Sequence, residues 1–154
     1  QELGCACDPI LEVGAGCGRL AFLLNQTGLL TSQVLASDVA LLPTSDFPVS
    51  VADASQLVQS LRPSLVLCAW MTFGQDWTSS WRQAEVQEYL LIGDLGAGDE
   101  ARCYSLSYEH PPYKRVLVEE VSQCLLHASD ARHLPNDGGP KGVPGSLCAV
   151  AYRR

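Results

Sequence analysis

The stretch Pro9-Ile10-Leu11-Glu12-Val13-Gly14-Ala15-Gly16-Cys17-Gly18 decides the fold. Its apolar half is short and ends in glycines, which reads as a buried strand running into a tight turn. From Arg19 onward Leu20, Leu23 and Leu24 recur at helical spacing, and Gly28 is a natural stop. The pattern then repeats. Val34-Leu35-Ala36 leads to Ser37-Asp38, and Val49-Ser50-Val51 leads to Ala52-Asp53, two further short strands that each end in an acid. Between them, residues 39–48 hold Pro43 and Pro48 and leave little room for a full helix. Residues 54–61 read as a helix with Leu57, Val58 and Leu61 inward, and Leu65-Val66-Leu67-Cys68-Ala69-Trp70 is an unbroken apolar strand buried on both faces. Residues 79–86 form a further predicted helix, capped by Ser79 or Ser80, before the strand Tyr89-Leu90-Leu91-Ile92-Gly93. Weaker strand candidates follow at 124–128 and 147–152, joined as a long hairpin across an exposed Asp-, Gly- and Pro-rich loop, 129–146.

Strands alternating with helices imply an α/β fold built on a mostly parallel sheet covered by helices. Ligands of such sheets bind beyond the carboxyl ends of the strands. Those ends are 12–18, Asp38, Asp53, 70–77 and 93–96.

Length and composition narrow the possibilities. The 154 residues correspond to one domain, 1–154. Hydrophobic residues make up 47%, enough for a real core. Ten Lys and Arg against seventeen Asp and Glu give a net charge of -7, which works against a broad surface for nucleic acid. No apolar run reaches the roughly 18 to 20 residues of a membrane span, and the first nine residues carry no signal pattern. The chain begins on Gln1 rather than methionine, which suggests a processed, trimmed or incomplete start. Its seven cysteines form no C-x-x-C pair and have no histidine at finger-like spacing, so no zinc site is expected. Most lie in apolar or Gly-rich surroundings, which points to an intracellular, reducing compartment, cytoplasmic or organellar; Cys5 and Cys7 form an ambiguous pair.

The glycine turn carries the functional reading. Glycines at alternate positions let the backbone pass close to a ligand at a helix N-terminus. A dinucleotide G-x-G-x-x-G fingerprint requires a third glycine at position 19, which is Arg19. The spacing E-x-G-x-G-x-G over Glu12, Gly14, Gly16 and Gly18 instead resembles motif I of the class I S-adenosylmethionine-dependent methyltransferases. That resemblance covers residues 8–95 and implies a Rossmann-like three-layer sandwich, with a seven-stranded, mostly parallel sheet ending in an antiparallel strand pair. It also implies S-adenosyl-L-methionine as cofactor. The glycine loop, with Ala15, faces its methionine end. Asp38 receives the ribose hydroxyls and Asp53, with Ala54 beside it, the adenine amino group. The backbone at Cys68 to Trp70, Ala69 included, helps hold the cofactor's amino group. Residues 1–53 contain six acids and one base, a field that attracts a sulfonium cation rather than a pyrophosphate. Each acid alone has a plainer reading: Asp38 and Asp53 as loop acids or helix caps, Glu12 as an acceptor for N–H groups of the turn.

Methyl transfer is an in-line displacement that requires alignment, exclusion of water and, for some acceptors, removal of a proton. The Asn- or Asp-Pro-Pro-aromatic motif of many amino-group methyltransferases is replaced here by Ala69-Trp70-Met71-Thr72-Phe73. Trp70, Phe73 and Trp77 offer aromatic walls, and Asp76 is a candidate to orient the acceptor or take its proton. His110, after Tyr108-Glu109 and before Pro111-Pro112, is a second candidate base; His127 reads as a structural residue of a strand. Trp70, Phe73, Trp77 and Trp81 read equally as core and lid packing, and Asp76 as a cap. N-terminal cap helices of the kind many family members carry are expected to be missing, so the site is expected to be open or covered by a partner subunit. The expected partner is a small-molecule or protein acceptor. Two readings result, a methyltransferase and a catalytically silent methyltransferase-like subunit, with a nicotinamide or flavin protein as a third.

Overall fold

Ile10–Val13 forms β1, whose backbone is hydrogen-bonded on both edges in a computed structural model of the chain. The structure describes residues 9–40, 47–72, 75–94, 110–129 and 147–154. Around β1 stand β2 (Val34–Asp38), β3 (Ser50–Val51), β4 (Leu65–Ala69), β5 (Glu88–Asp94), β6 (Lys114–Leu117) and β7 (Leu147–Arg153). The helices are α1 (Arg19–Gln26), α2 (Ala54–Leu61), α3 (Thr78–Gln83) and α4 (Glu119–Ser129).

Among the described residues this is an α/β protein with one seven-stranded mixed sheet in the order β3-β2-β1-β4-β5-β7-β6, a Rossmann-like layout. β1 to β5 run parallel, and β7 lies antiparallel between β5 and β6. The chain builds outward from β1 through β2 to β3, then returns to the other side of β1 with β4. The crevice between the ends of β1 and β4 is therefore the place where such sheets take ligands.

Side-chain alternation explains why β1 is central. Leu11 and Val13 enter a large buried cluster with Val58 of α2, Trp81 of α3, Val66, Cys68, Tyr89 and Leu91. Ile10 joins a second cluster, in which Ala21 and Leu24 of α1 meet Val34 and Ala36 of β2. At the start of β2, before the two residues that pair with β3, the Asn25 side chain donates to Val34 O and accepts from Val34 N–H, both at 2.8 Å, so a side-chain amide extends the pairing there.

The last third of the chain differs from expectation. Residues 124–128 belong to α4 rather than to a strand, so no hairpin joins them to β7. The sixth strand is Lys114–Leu117 instead, and α4 connects it to β7. Ser122 fixes that helix: its hydroxyl donates to Val118 O at 2.8 Å and accepts from the Ala149 N–H at 3.0 Å. The third helix is shorter than 79–86, because the backbone turns left-handed at Glu85 (φ 58) and the Val86 N–H returns to Trp81 O at 3.1 Å. Most of the 39–48 crossover and the loop 130–146 lie outside the described residues.

Candidate functional site

The glycine turn is held from three directions. Gly18, at φ 78, precedes α1 and offers it no capping side chain. A Cβ at this position would lie 2.5 Å from Val49 Cγ2, so the approach of the segment before β3 requires glycine here. The Ala15 N–H donates to Ser37 O at 2.9 Å, and the Gly16 N–H donates to Asp38 Oδ2 at 2.8 Å, which ties the turn to the end of β2.

Glu12 supplies the missing cap from below. Its Oε2 accepts the Ala21 N–H at 2.9 Å, one of the first-turn donors that a helix cannot satisfy internally. The residue is only 3% exposed. Loss of hydration raises its carboxyl pKa, and the Ala21 hydrogen bond offsets part of that shift. The structure thus gives Glu12 the plainer of its two roles, a support under the turn; it does not line the cavity above.

That cavity, of about 390 Å³, opens at the carboxyl ends of β1 to β4. It is lined by Gly14 after β1, Ser37, Asp38 and Val39 at β2, Ala52 to Ser55 after β3, and Trp70, Thr72, Gln75 and Trp77 after β4. Two carboxylates and no Lys or Arg stand among these described residues. Asp38 lies between loop and cavity, with Oδ1 accepting from the Ala40 N–H at 3.3 Å while Oδ2 holds Gly16. Asp53 caps α2, its Oδ1 accepting from the Gln56 N–H at 3.0 Å. A carboxylate has about four acceptor positions, so both retain capacity for donors in the cavity.

The far wall is aromatic. Trp70 is 52% exposed and sits at φ 63, a backbone conformation unfavourable for a side chain of its size, where its N–H donates to Ile92 O at 2.8 Å. Trp77 lies directly over the glycine turn. A Cβ on Gly14 would be 2.9 Å from its Cζ3 and 3.3 Å from its Cη2. Its Nε1 donates to Gln75 Oε1 at 2.8 Å. Phe73 lies outside the described residues, and Trp81 is fully buried in the core.

The two candidate bases are placed elsewhere. Asp76 starts α3: its Oδ1 accepts from the Thr78 N–H at 3.0 Å and from the Thr78 hydroxyl, and its Oδ2 pairs with Arg82 at 3.3 Å. Its carboxylate is committed to the helix and does not line the cavity. His110 pairs with Tyr113 in an isolated bridge, and its ring centroid lies 5.5 Å from that of Tyr152. Tyr152 is registered with Tyr89, the second residue of β5, so His110 stands near the amino ends of the parallel strands, away from the cavity. The cause is the antiparallel course of β7, which brings its C-terminal residues to that end. His127 belongs to α4 rather than a strand; Tyr108, Glu109 and His133 lie outside the described residues.

The structure therefore brings together Gly14, Asp38, Asp53 and Ala54, with Gly16 behind Asp38, and places Ala69 one residue before the cavity at the end of β4. Ser37, Ser55, Thr72 and Gln75 are cavity residues to which sequence pattern assigned no role. Thr72 and Gln75 lie in the marked stretch after β4, where a side chain's direction has no sequence signature. Among the described residues no group of three or more His, Cys, Asp and Glu is arranged to hold a metal ion, and no helix is long and apolar enough to cross a membrane. No protein-family model matches the chain, and no curated protein is similar enough to stand as a relative.

Proposed function

We propose that this is an S-adenosylmethionine-dependent methyltransferase domain, a Rossmann-like three-layer sandwich acting on a small-molecule or protein acceptor. The observation that carries the reading is the cavity at the β1/β4 crevice, with Asp38 and Asp53 in its described lining and no cationic side chain there. That acceptor set fits a ligand rich in hydroxyl and amino donors and bearing positive charge, and it disfavours a pyrophosphate. Asp38 would hold the ribose hydroxyls and Asp53, with Ala54, the adenine amino group. Gly14, Ala15, Gly16 and Gly18 would border the methionine end, with the backbone at Cys68 to Trp70 beside them. Such a cofactor supplies an electrophilic methyl group on a sulfonium. The chain's own part is then to align the acceptor and exclude water, which Trp70 and Trp77 serve as apolar walls. Asp76 acts as a positioning residue that fixes the start of α3 through Thr78 and Arg82. Cys68 and Cys148 are buried in the core like small hydrophobic side chains, which supports a reducing, intracellular setting.

A second reading, a catalytically silent subunit whose partner covers this face, is favoured by one observation: the Trp77 ring already rests on Gly14. Thermal unfolding with added ligand tests both. At a hundredfold excess over Kd, S-adenosylmethionine adds about 2.7 kcal/mol and raises the midpoint by several degrees, whereas NAD leaves it unchanged. No shift with either ligand at millimolar concentration would leave the silent reading.

A further inference from the structure

The geometry points to Trp77 as the residue that decides how much of an adenosyl ligand the cavity admits. This inference rests on the adenosyl reading above. The sheet order places Asp53 and Asp38 on the β3 and β2 side of the cavity, and Gly14 and Trp70 on the β1 and β4 side. The first side carries the acceptors that suit a nucleoside. The second is closed by an indole. Cζ3 and Cη2, the atoms that a Gly14 Cβ would meet at 2.9 and 3.3 Å, both belong to the benzo ring, so not even a methyl group fits between that ring and the loop. A ligand tail crossing Gly14 must displace it.

The ring is held well enough to resist and loosely enough to move. It packs partly against the main core cluster, and its indole N–H is tethered by the exposed hydrogen bond from Nε1 to Gln75 Oε1, a contact worth about 1 kcal/mol net. The binding energy of a tail is therefore spent on moving the indole. A nucleoside that ends at the ribose avoids that cost. Adenosine and S-adenosylmethionine then bind the native chain with similar affinity, although the second is the larger ligand.

Phenylalanine at position 77 keeps a ring against the core but lacks the reach of the benzo ring. Calorimetric titrations of adenosine, S-adenosylmethionine and S-adenosylhomocysteine into the native chain and Trp77→Phe test the assignment. The expected result is roughly a tenfold gain for the two tailed ligands in the variant, with adenosine unchanged. Gln75→Ala, which releases the indole without touching the core, moves affinities in the same direction by a smaller factor and serves if Trp77→Phe is poorly folded. Tailed ligands that bind the native chain at least tenfold more tightly than adenosine, at a ratio neither substitution alters, would overturn the role of Trp77 and leave the adenosyl reading intact. Failure of all three ligands to bind any of the proteins would overturn both.

Discussion

Asp38 Oδ2 accepts the backbone N–H of Gly16 at 2.8 Å, joining the glycine turn after β1 to the end of β2 across 22 residues. The same carboxylate borders the cavity, so it shapes the loop and faces the space of the proposed ligand at once. The two roles separate by substitution. Asp38→Ala leaves the Gly16 N–H without its acceptor and costs about 1 to 3 kcal/mol in denaturant unfolding. On the methyltransferase proposal it also removes the carboxylate that would receive the ribose hydroxyls, and S-adenosylmethionine affinity is expected to fall by roughly 10- to 100-fold. Asp38→Asn keeps one oxygen for Gly16, so stability is largely retained while the affinity loss remains. Equal losses of both quantities in the Asn and Ala variants would contradict the dual role.

Glu12 supports the turn at the expense of its own ionisation. Burial raises its pKa above the ordinary value of 4.5, so the folded chain holds this proton more tightly than the unfolded chain does. The stabilisation associated with the proton is complete below 4.5 and is lost as pH rises through the raised folded value. Glu12→Gln keeps an acceptor for the Ala21 N–H without the charge. The difference in unfolding free energy between the Glu12→Gln variant and the native protein should therefore favour the variant at neutral pH and vanish towards about pH 4, as read by urea titration at each pH. Glu12→Ala, which leaves the Ala21 donor unsatisfied, should be about 1 to 3 kcal/mol less stable than Glu12→Gln at every pH, because neither variant titrates at this position.

Gly18 is required by its neighbours as well as by its φ of 78. Gly18→Ala places a methyl group against Val49 and strains the backbone, together about 2 to 4 kcal/mol. Val49→Ala in the same chain removes the steric part, so the double variant should be less destabilised than the sum of the singles, a coupling that a double-mutant cycle measures.

Trp70 occupies left-handed backbone at the rim of the cavity, and strain of this kind persists where a side chain is needed in place. Trp70→Gly should raise thermal stability by about 1 kcal/mol while weakening ligand binding or transfer. A variant that is less stable, with binding unchanged, would show that the indole serves packing alone.

The legibility of the chain followed the physics of each part. β1, α1, α2 and β4 are readable because each carries a continuous or periodic apolar pattern next to explicit breakers such as Gly18 and Gly28, although Leu23 of α1 and Leu61 of α2, read as part of those patterns, are exposed in the structure. β6 was not: an edge strand spelled Lys-Arg-Val-Leu has little apolar face, and its partner is distant in sequence. α4 was misread because residues 124–128 are apolar without period over so short a run, although Glu119 and Glu120 in its first turn were a helix start signal. At the site, the acids that end β2 and β3 were legible from their place after strands. The capture of Asp76 by Thr78 and Arg82, two and six residues on, is local and matches its reading as a cap, whereas the removal of His110 to the opposite end of the sheet depends on tertiary packing, which local sequence does not encode.

The most direct test of the methyltransferase reading is calorimetry of the native chain with S-adenosylmethionine, with Asp38→Ala and NAD as controls. The expected result is saturable one-to-one binding of S-adenosylmethionine, greatly weakened by Asp38→Ala, and no heat with NAD. No heat with S-adenosylmethionine at millimolar concentration, or binding that Asp38→Ala leaves unchanged, would contradict it.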